Sequence, residues 1–120
     1  MTPTEIVTAD AKKQGLDPAK IMSVIHKEIG NKKGFLFHEN NSLLYGRYIT
    51  PHVAEVHLMT EDSPLQLMHS LKQFIAHGRR IGIKKLYGKA DNPGILKFLK
   101  TAGINVQNSN VPMYNWMALL

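Results

Sequence analysis

The sequence predicts an α+β fold in which a mixed antiparallel and parallel sheet is flanked by helices. Three observations carry this. Residues 34–60 fall into short strand-like runs divided by tight turns, the pattern of an antiparallel meander. Residues 63–107 then run helix, strand, helix, strand, a crossover that brings a parallel pair into the sheet. Two capped helical segments precede both. The resulting order, α-α-β-β-β-α-β-α-β-β, within 120 residues predicts one domain over residues 1–120.

Each element has a local reason. Thr2-Pro3-Thr4-Glu5 offers a cap and a first-turn proline, and Gly15 supplies the stop. Asp17-Pro18 repeats the device, and Ile21, Met22, Ile25 and Ile29 keep helical spacing up to Gly30. Gly34 to Glu39 is a short aromatic strand. Asn40-Asn41 is a tight hairpin turn, since Asn tolerates positive φ. Ser42 to Ile49 is the return strand, Thr50-Pro51-His52 the next turn, and Val53 to Thr60 the third strand. Its residues Ala54, Val56 and Leu58 take one face, and Val53, Glu55, His57 and Met59 the other.

The period then changes. Ser63-Pro64-Leu65-Gln66 has a capping-box arrangement, and Leu67, Met68, Leu71, Phe74 and Ile75 form a buried stripe. Arg79 and Arg80 complement the helix C-terminal dipole, and Gly82 ends the helix. Ile83 to Ala90 is a strand, Asn92–Thr101 a helix and Ile104 to Gln107 a strand. Asn108-Ser109-Asn110 turns the chain into a last strand, Met113 to Leu119.

Composition removes whole classes of function. The absence of cysteine excludes disulfides, thiolate zinc sites and a cysteine nucleophile, and suits a reducing cytoplasm. No apolar run approaches the ~20 residues of a membrane span. Met1-Thr2-Pro3-Thr4-Glu5 lacks the basic and apolar segments of a secretory signal. The six histidines match no zinc spacing, so no metal site is expected. No serine sits in a glycine-flanked elbow and no glycine-rich phosphate loop follows a strand. The net charge of +6 is concentrated between Lys72 and Lys100, with Arg79, Arg80, Lys84, Lys85, Lys89 and Lys97 between them. Such a half favours an anionic partner, namely a phosphorylated cofactor, nucleic acid or an acidic protein surface.

The most informative stretch is Asp91-Asn92-Pro93-Gly94-Ile95-Leu96-Lys97-Phe98-Leu99-Lys100-Thr101-Ala102-Gly103-Ile104. It resembles the C-terminal signature of the GNAT N-acetyltransferase superfamily: an Asn opens a helix that closes on Gly and a large apolar residue. The element order resembles the GNAT fold without its first strand, and the resemblance covers residues 34–119. In that pattern a Tyr stands seven residues after the Asn. Here Gly103 keeps its place, and Leu99 occupies the Tyr position.

The resemblance implies where a cofactor would lie. Acetyl-CoA would occupy the cleft where Val53–Thr60 and Ile83–Ala90 splay apart, with its pyrophosphate at the helix start near Ser63. Leu58, Met59, Thr60, Ser63 and Asn92 are the cofactor-binding residues so implied. A helix N-terminus suits phosphate through its unpaired N–H groups and its dipole. The superfamily fills this loop with a basic or Gln residue and spaced glycines. This chain has Glu61-Asp62-Ser63-Pro64, so weak or absent acetyl-CoA binding is expected; the simpler role of the two carboxylates is to cap and balance the helix.

The resemblance also implies a tyrosine that protonates the leaving thiolate, which Leu99 cannot do. Tyr87 or Tyr114 would serve only if the fold brings one to the cleft. Its general base is often a Glu on the strand matching Val53–Thr60. Glu55 and His57 share a face of that strand and are the catalytic candidates, against the plainer role of a half-exposed polar face.

A narrower resemblance lies in Phe98-Leu99-Lys100-Thr101-Ala102-Gly103, which is similar to a helix of small GNAT-like proteins of short-tailed bacteriophages. It implies a role in virion assembly or host interaction, in the host cytoplasm or the virion. Two readings from different classes result: an N-acetyltransferase with an altered cofactor loop, and a catalytically inactive GNAT-like module that binds a protein partner. A basic nucleic-acid-binding protein ranks third. Phe74, Tyr87 and Phe98 lie among the basic residues, but two of them fit buried helix positions.

Overall fold

The computed structural model describes residues 1–89 and 94–120, apart from the side chain of Ile95. Helix α1 runs Pro3–Gln14 and α2 Pro18–Gly30. Thr2 and Glu5 form a reciprocal capping box, Glu5 N–H to Thr2 Oγ1 at 3.2 Å and Thr2 N–H to Glu5 Oε1 at 2.9 Å. Those bonds hold the Glu5 carboxyl below its usual range. Gly15 ends α1 at φ 69°, a conformation that glycine adopts without a Cβ penalty. Asp17 caps α2 by accepting from Ala19 N–H at 3.0 Å.

The meander follows as β1 Gly34–Glu39, β2 Ser42–Thr50 and β3 Val53–Thr60, with Asn40 at φ 50° in the first turn. Helix α3 is Pro64–Arg80, β4 Lys85–Gly88, α4 Gly94–Thr101, β5 Asn105–Asn108 and β6 Trp116–Leu119. Among the described residues six strands form one sheet in the order β1-β2-β3-β4-β6-β5. All neighbours are antiparallel except β3 and β4, so the sheet is mixed as expected.

The last strands are shorter than periodicity suggests, because pairing sets their ends. Ile83 N–H bonds back to the Gly78 carbonyl at 2.9 Å and still belongs to the helix exit. Residues 113–115 are spent on a turn, in which Tyr114 N–H bonds the Val111 carbonyl and Asn115 N–H the Gly88 carbonyl, both at 3.0 Å. Ala90 and Asn92, the expected strand end and helix start, lie outside the described residues.

Two cores cover the two faces of the sheet. Helices α1 and α2 pack Ile6, Val7 and Ile25 against Leu43, Tyr45 and Met59. On the other face α3 and α4 pack Leu71, Phe74 and Leu99 against Leu44, Val56, Leu86 and Val106. Burying each such side chain fully contributes ~1.5–3 kcal/mol. The α2 stripe stops short of the expected Ile29, which is 37% exposed. No helix among the described residues is long and apolar enough to cross a membrane.

Candidate functional site

The site arises where the one parallel pair comes apart. Among the described residues β3 and β4 pair from Val53↔Lys85 to Glu55↔Tyr87, although β3 continues to Thr60. Peptide groups alternate sides along β3. Glu61 N–H donates to the Asn41 carbonyl on the β2 side (3.0 Å), while the His52 carbonyl accepts from Lys84 N–H on the β4 side (2.8 Å). Even-numbered residues therefore aim their N–H and C=O groups toward β4. Among the described residues the pairing with β4 goes no further than Glu55, and beyond that point Val56 and Leu58 line an opening.

The opening is a cleft of about 720 Å³ that passes between the two cores. Ile21, Ile25, Tyr45 and Met59 line it on the α1–α2 side, and Leu44, Val56, Leu71 and Leu99 on the α3–α4 side. Trp116 joins the second wall because Gly88, its cross-strand partner, lets the indole lie against the backbone: a Cβ on Gly88 would fall 2.1 Å from Trp116 Cζ2. The rim is polar, with Asp10, Gln14, Lys20, His57 and Lys89. Gln14 Nε2 donates to Asp10 Oδ2 at 2.6 Å, and burial pushes the Asp10 carboxyl above its usual range.

Glu55 and His57 do lie on one face of β3, as the alternation predicts, but they have different partners. Glu55 accepts a short hydrogen bond from the Tyr114 hydroxyl and has Arg47 Nη1 at 4.0 Å. Tyr114 stacks on Tyr87 with ring centroids 5.3 Å apart. The bond to Glu55, then burial, then the carboxylate charge push the Tyr114 phenol up to about 12. His57 is exposed and stacks on Tyr45 at 6.2 Å. Fifty-nine positions separate Glu55 from Tyr114, so no sequence spacing could have announced that pair.

Of the residues implied for the cofactor, Leu58 and Met59 line the cleft. Thr60 turns its hydroxyl to Ser42 Oγ at 2.6 Å and receives Asp62 N–H at 3.0 Å. Ser63 caps α3, accepting from Gln66 N–H at 3.4 Å. Asn92 lies outside the described residues. Pro64 has no N–H and the Leu67 N–H bonds the Ser63 carbonyl, so the first turn offers an anion little beyond the N–H of Leu65.

The two loop carboxylates do not cap that helix; they hold other elements. Glu61 pairs with Lys13 Nζ of α1 at 2.6 Å. Asp62 accepts from Asn41 N–H at 3.1 and 3.2 Å, from Ser42 Oγ at 2.6 Å and from Ser70 Oγ at 3.4 Å. Both serines are fully buried, so Asp62 fastens the start of α3 to the β1–β2 hairpin.

Leu99 is 5% exposed, a core residue that also forms part of the cleft wall. The basic residues have different surroundings. Lys89 is at the cleft, Lys85 Nζ sits 5.9 Å from the Tyr87 ring, and Lys72 and Arg79 line a separate groove of about 410 Å³ beside the end of α4. Among the described residues no group of three or more His, Cys, Asp or Glu is placed to hold a metal ion.

No protein-family model and no curated protein matches the chain by sequence. Solved structures do match it by shape. A chimera of Vibrio cholerae spermidine N-acetyltransferase SpeG and hSSAT superposes with TM-score 0.61 at 9% identity, covering 98% of this chain and 90% of that one. Tetrahymena GCN5 gives 0.61 at 14% identity, covering 95% and 82%. A further Vibrio cholerae SpeG variant gives 0.57 at 11% identity, covering 85% and 72%. With these neighbours, the six-stranded mixed sheet and its β3–β4 opening, the fold is that of the GNAT N-acetyltransferases.

Proposed function

We propose that this protein is a GNAT-type N-acyltransferase whose β3–β4 cleft holds the pantetheine arm of an acyl-CoA. The observation that carries the reading is that, among the described residues, β3–β4 pairing ends at Glu55↔Tyr87, where Val56 and Leu58 on the β3 edge line a cleft of about 720 Å³. Amide groups of an extended ligand pair with such an edge as a strand would. Acyl-CoA would supply the acyl group as a thioester, so that a carbon–nitrogen bond forms as the carbon–sulfur bond breaks and one proton moves from amine to thiolate.

The chain's residues divide that work. Leu58 and Met59 bind the arm. Glu55, held by Tyr114 and flanked by Arg47, accepts the amine proton, and the Tyr114 hydroxyl fixes its orientation. His57, at the rim, orients the acceptor. Ser63, whose Oγ already caps α3, and the Leu65 N–H would meet the pyrophosphate, which therefore contributes little, so affinity for whole acetyl-CoA is low. Asn92 belongs to the same binding reading through the resemblance alone.

Calorimetry with acetyl-CoA and with S-acetylpantetheine tests this. The two are expected to bind with similar, modest affinity. Glu55→Gln should keep that binding and lower transfer to an amine by ~10²–10⁴-fold. Loss of binding to both ligands, with the fold intact, would refute the reading.

A second reading is favoured by Leu99 and by the structural engagement of Asp62: a catalytically inactive GNAT-like module that binds a protein, of the kind the short phage-like helix implies. Unchanged transfer-negative behaviour in wild type and in Glu55→Gln, with no thioester bound, is its signature.

A further inference from the structure

We propose that the cleft selects an aliphatic acyl group longer than acetyl, in the range from butyryl to octanoyl. The proposal rests on the acyltransferase reading for the position of the thioester and adds what the acyl chain is. The observations concern the wall beyond the β3 edge. There the cleft meets Leu44, Val56, Leu71 and Leu99 together with the Trp116 indole, without a polar side chain among them. The polar lining residues, Asp10, Lys20, His57 and Lys89 among them, stand at the rim instead.

An acyl chain entering from the β3 edge therefore leaves a polar mouth and ends against four branched side chains. Leu99 is decisive, because this position carries no hydroxyl and adds apolar surface to the wall. Gly88 is the second structural requirement. Any side chain there would displace Trp116, which completes the wall on the β4 side. The volume of about 720 Å³, which the pantetheine arm shares, lies within the range that encloses whole organic ligands, and an acetyl group offers the apolar wall no more than one methyl. Vacant apolar space forfeits dispersion contacts, while each methylene buried there strengthens binding about four-fold.

The test is calorimetry of the full chain with S-acetyl-, S-butyryl-, S-hexanoyl- and S-octanoylpantetheine, which avoid the phosphate loop altogether. The dissociation constant is expected to fall about four-fold per added methylene until the chain meets the end wall. Leu71→Phe, which grows into that wall, should weaken binding of the longer chains more than that of acetyl and so flatten the series; its melting curve shows whether it folds, and the wild-type series decides alone if it does not. Acetyl binding as tight as hexanoyl in wild type overturns this inference and leaves the acyltransferase reading standing. Failure of every thioester to bind sinks that reading, and this inference with it.

Discussion

Replacing Asp62 with alanine separates a structural carboxylate from one that merely sits in a loop. Asp62 accepts from one backbone N–H and two serine hydroxyls, and those serines are fully buried. A hydrogen bond to a charged group contributes ~1.5–3 kcal/mol and an unsatisfied buried group costs ~1–3 kcal/mol. The losses are partly offset. Ser42 keeps Thr60 Oγ1 at 2.6 Å, and Ser70 keeps Asn40 Nδ2 at 2.9 Å and the Glu39 carbonyl at 3.4 Å, so each hydroxyl retains a partner. The bond from Ser70 is long at 3.4 Å and contributes least. A net loss of ~2–4 kcal/mol follows from these figures. For a chain of this size that lowers Tm by on the order of 10 °C. Urea unfolding followed by circular dichroism should show the midpoint falling with the slope m unchanged, since no new surface is exposed. Asp62→Asn, which keeps an acceptor oxygen, should lose about half as much. A Tm within about 2 °C of wild type for the alanine variant would show that the α3–hairpin fastening carries no stability.

Other outcomes follow from single contacts. Gly88→Ala places a methyl 2.1 Å from the Trp116 ring and should cost ~1–3 kcal/mol, with a shift in the emission of the only tryptophan; unchanged emission and stability would refute the close approach. Tyr114 has a raised folded pKa, so its contribution to stability is complete below about pH 10, where the unfolded phenol titrates. That contribution is lost as pH rises through about 12. Ultraviolet titration should therefore show a tyrosine step near pH 12, and Tyr114→Phe should remove that step. Glu61→Gln frees Lys13 and removes a carboxylate beside α3, so acetyl-CoA should bind more tightly at low salt and the gain should fade as salt rises. Equal affinity for wild type and variant at low ionic strength would argue that the pyrophosphate lies elsewhere.

Much of the architecture was readable because its signals are local. Thr2, Asp17 and Ser63 each stand before a first-turn proline and each caps a helix. The β1–β3 boundaries depend on period-two alternation and on Asn40, whose positive φ allows the tight turn. The later strands were less legible. Lys85–Gly88 and Trp116–Leu119 end where neighbours stop pairing, not where the residue pattern stops. The buried positions of Ser70 and Gly78 on α3 were missed for a related reason: polar or small residues reach the interior only when a particular partner receives them, here Asp62 for the first and Leu120 for the second.

By itself the sequence determined the order of elements, the faces of β3 that bring Glu55 and His57 to one side, and the absence of a hydroxyl at residue 99. Backbone propensity, capping and side-chain alternation act over a few residues, so they survive reading in one dimension. Tertiary structure alone decided how Val56 and Leu58 come to line a cleft, that Tyr114 reaches the Glu55 carboxylate, and that Asp62 is bound to Ser42 and Ser70 rather than facing solvent at a helix end. These depend on contacts between residues many positions apart. Their energies exist only after packing has brought the strands and helices together.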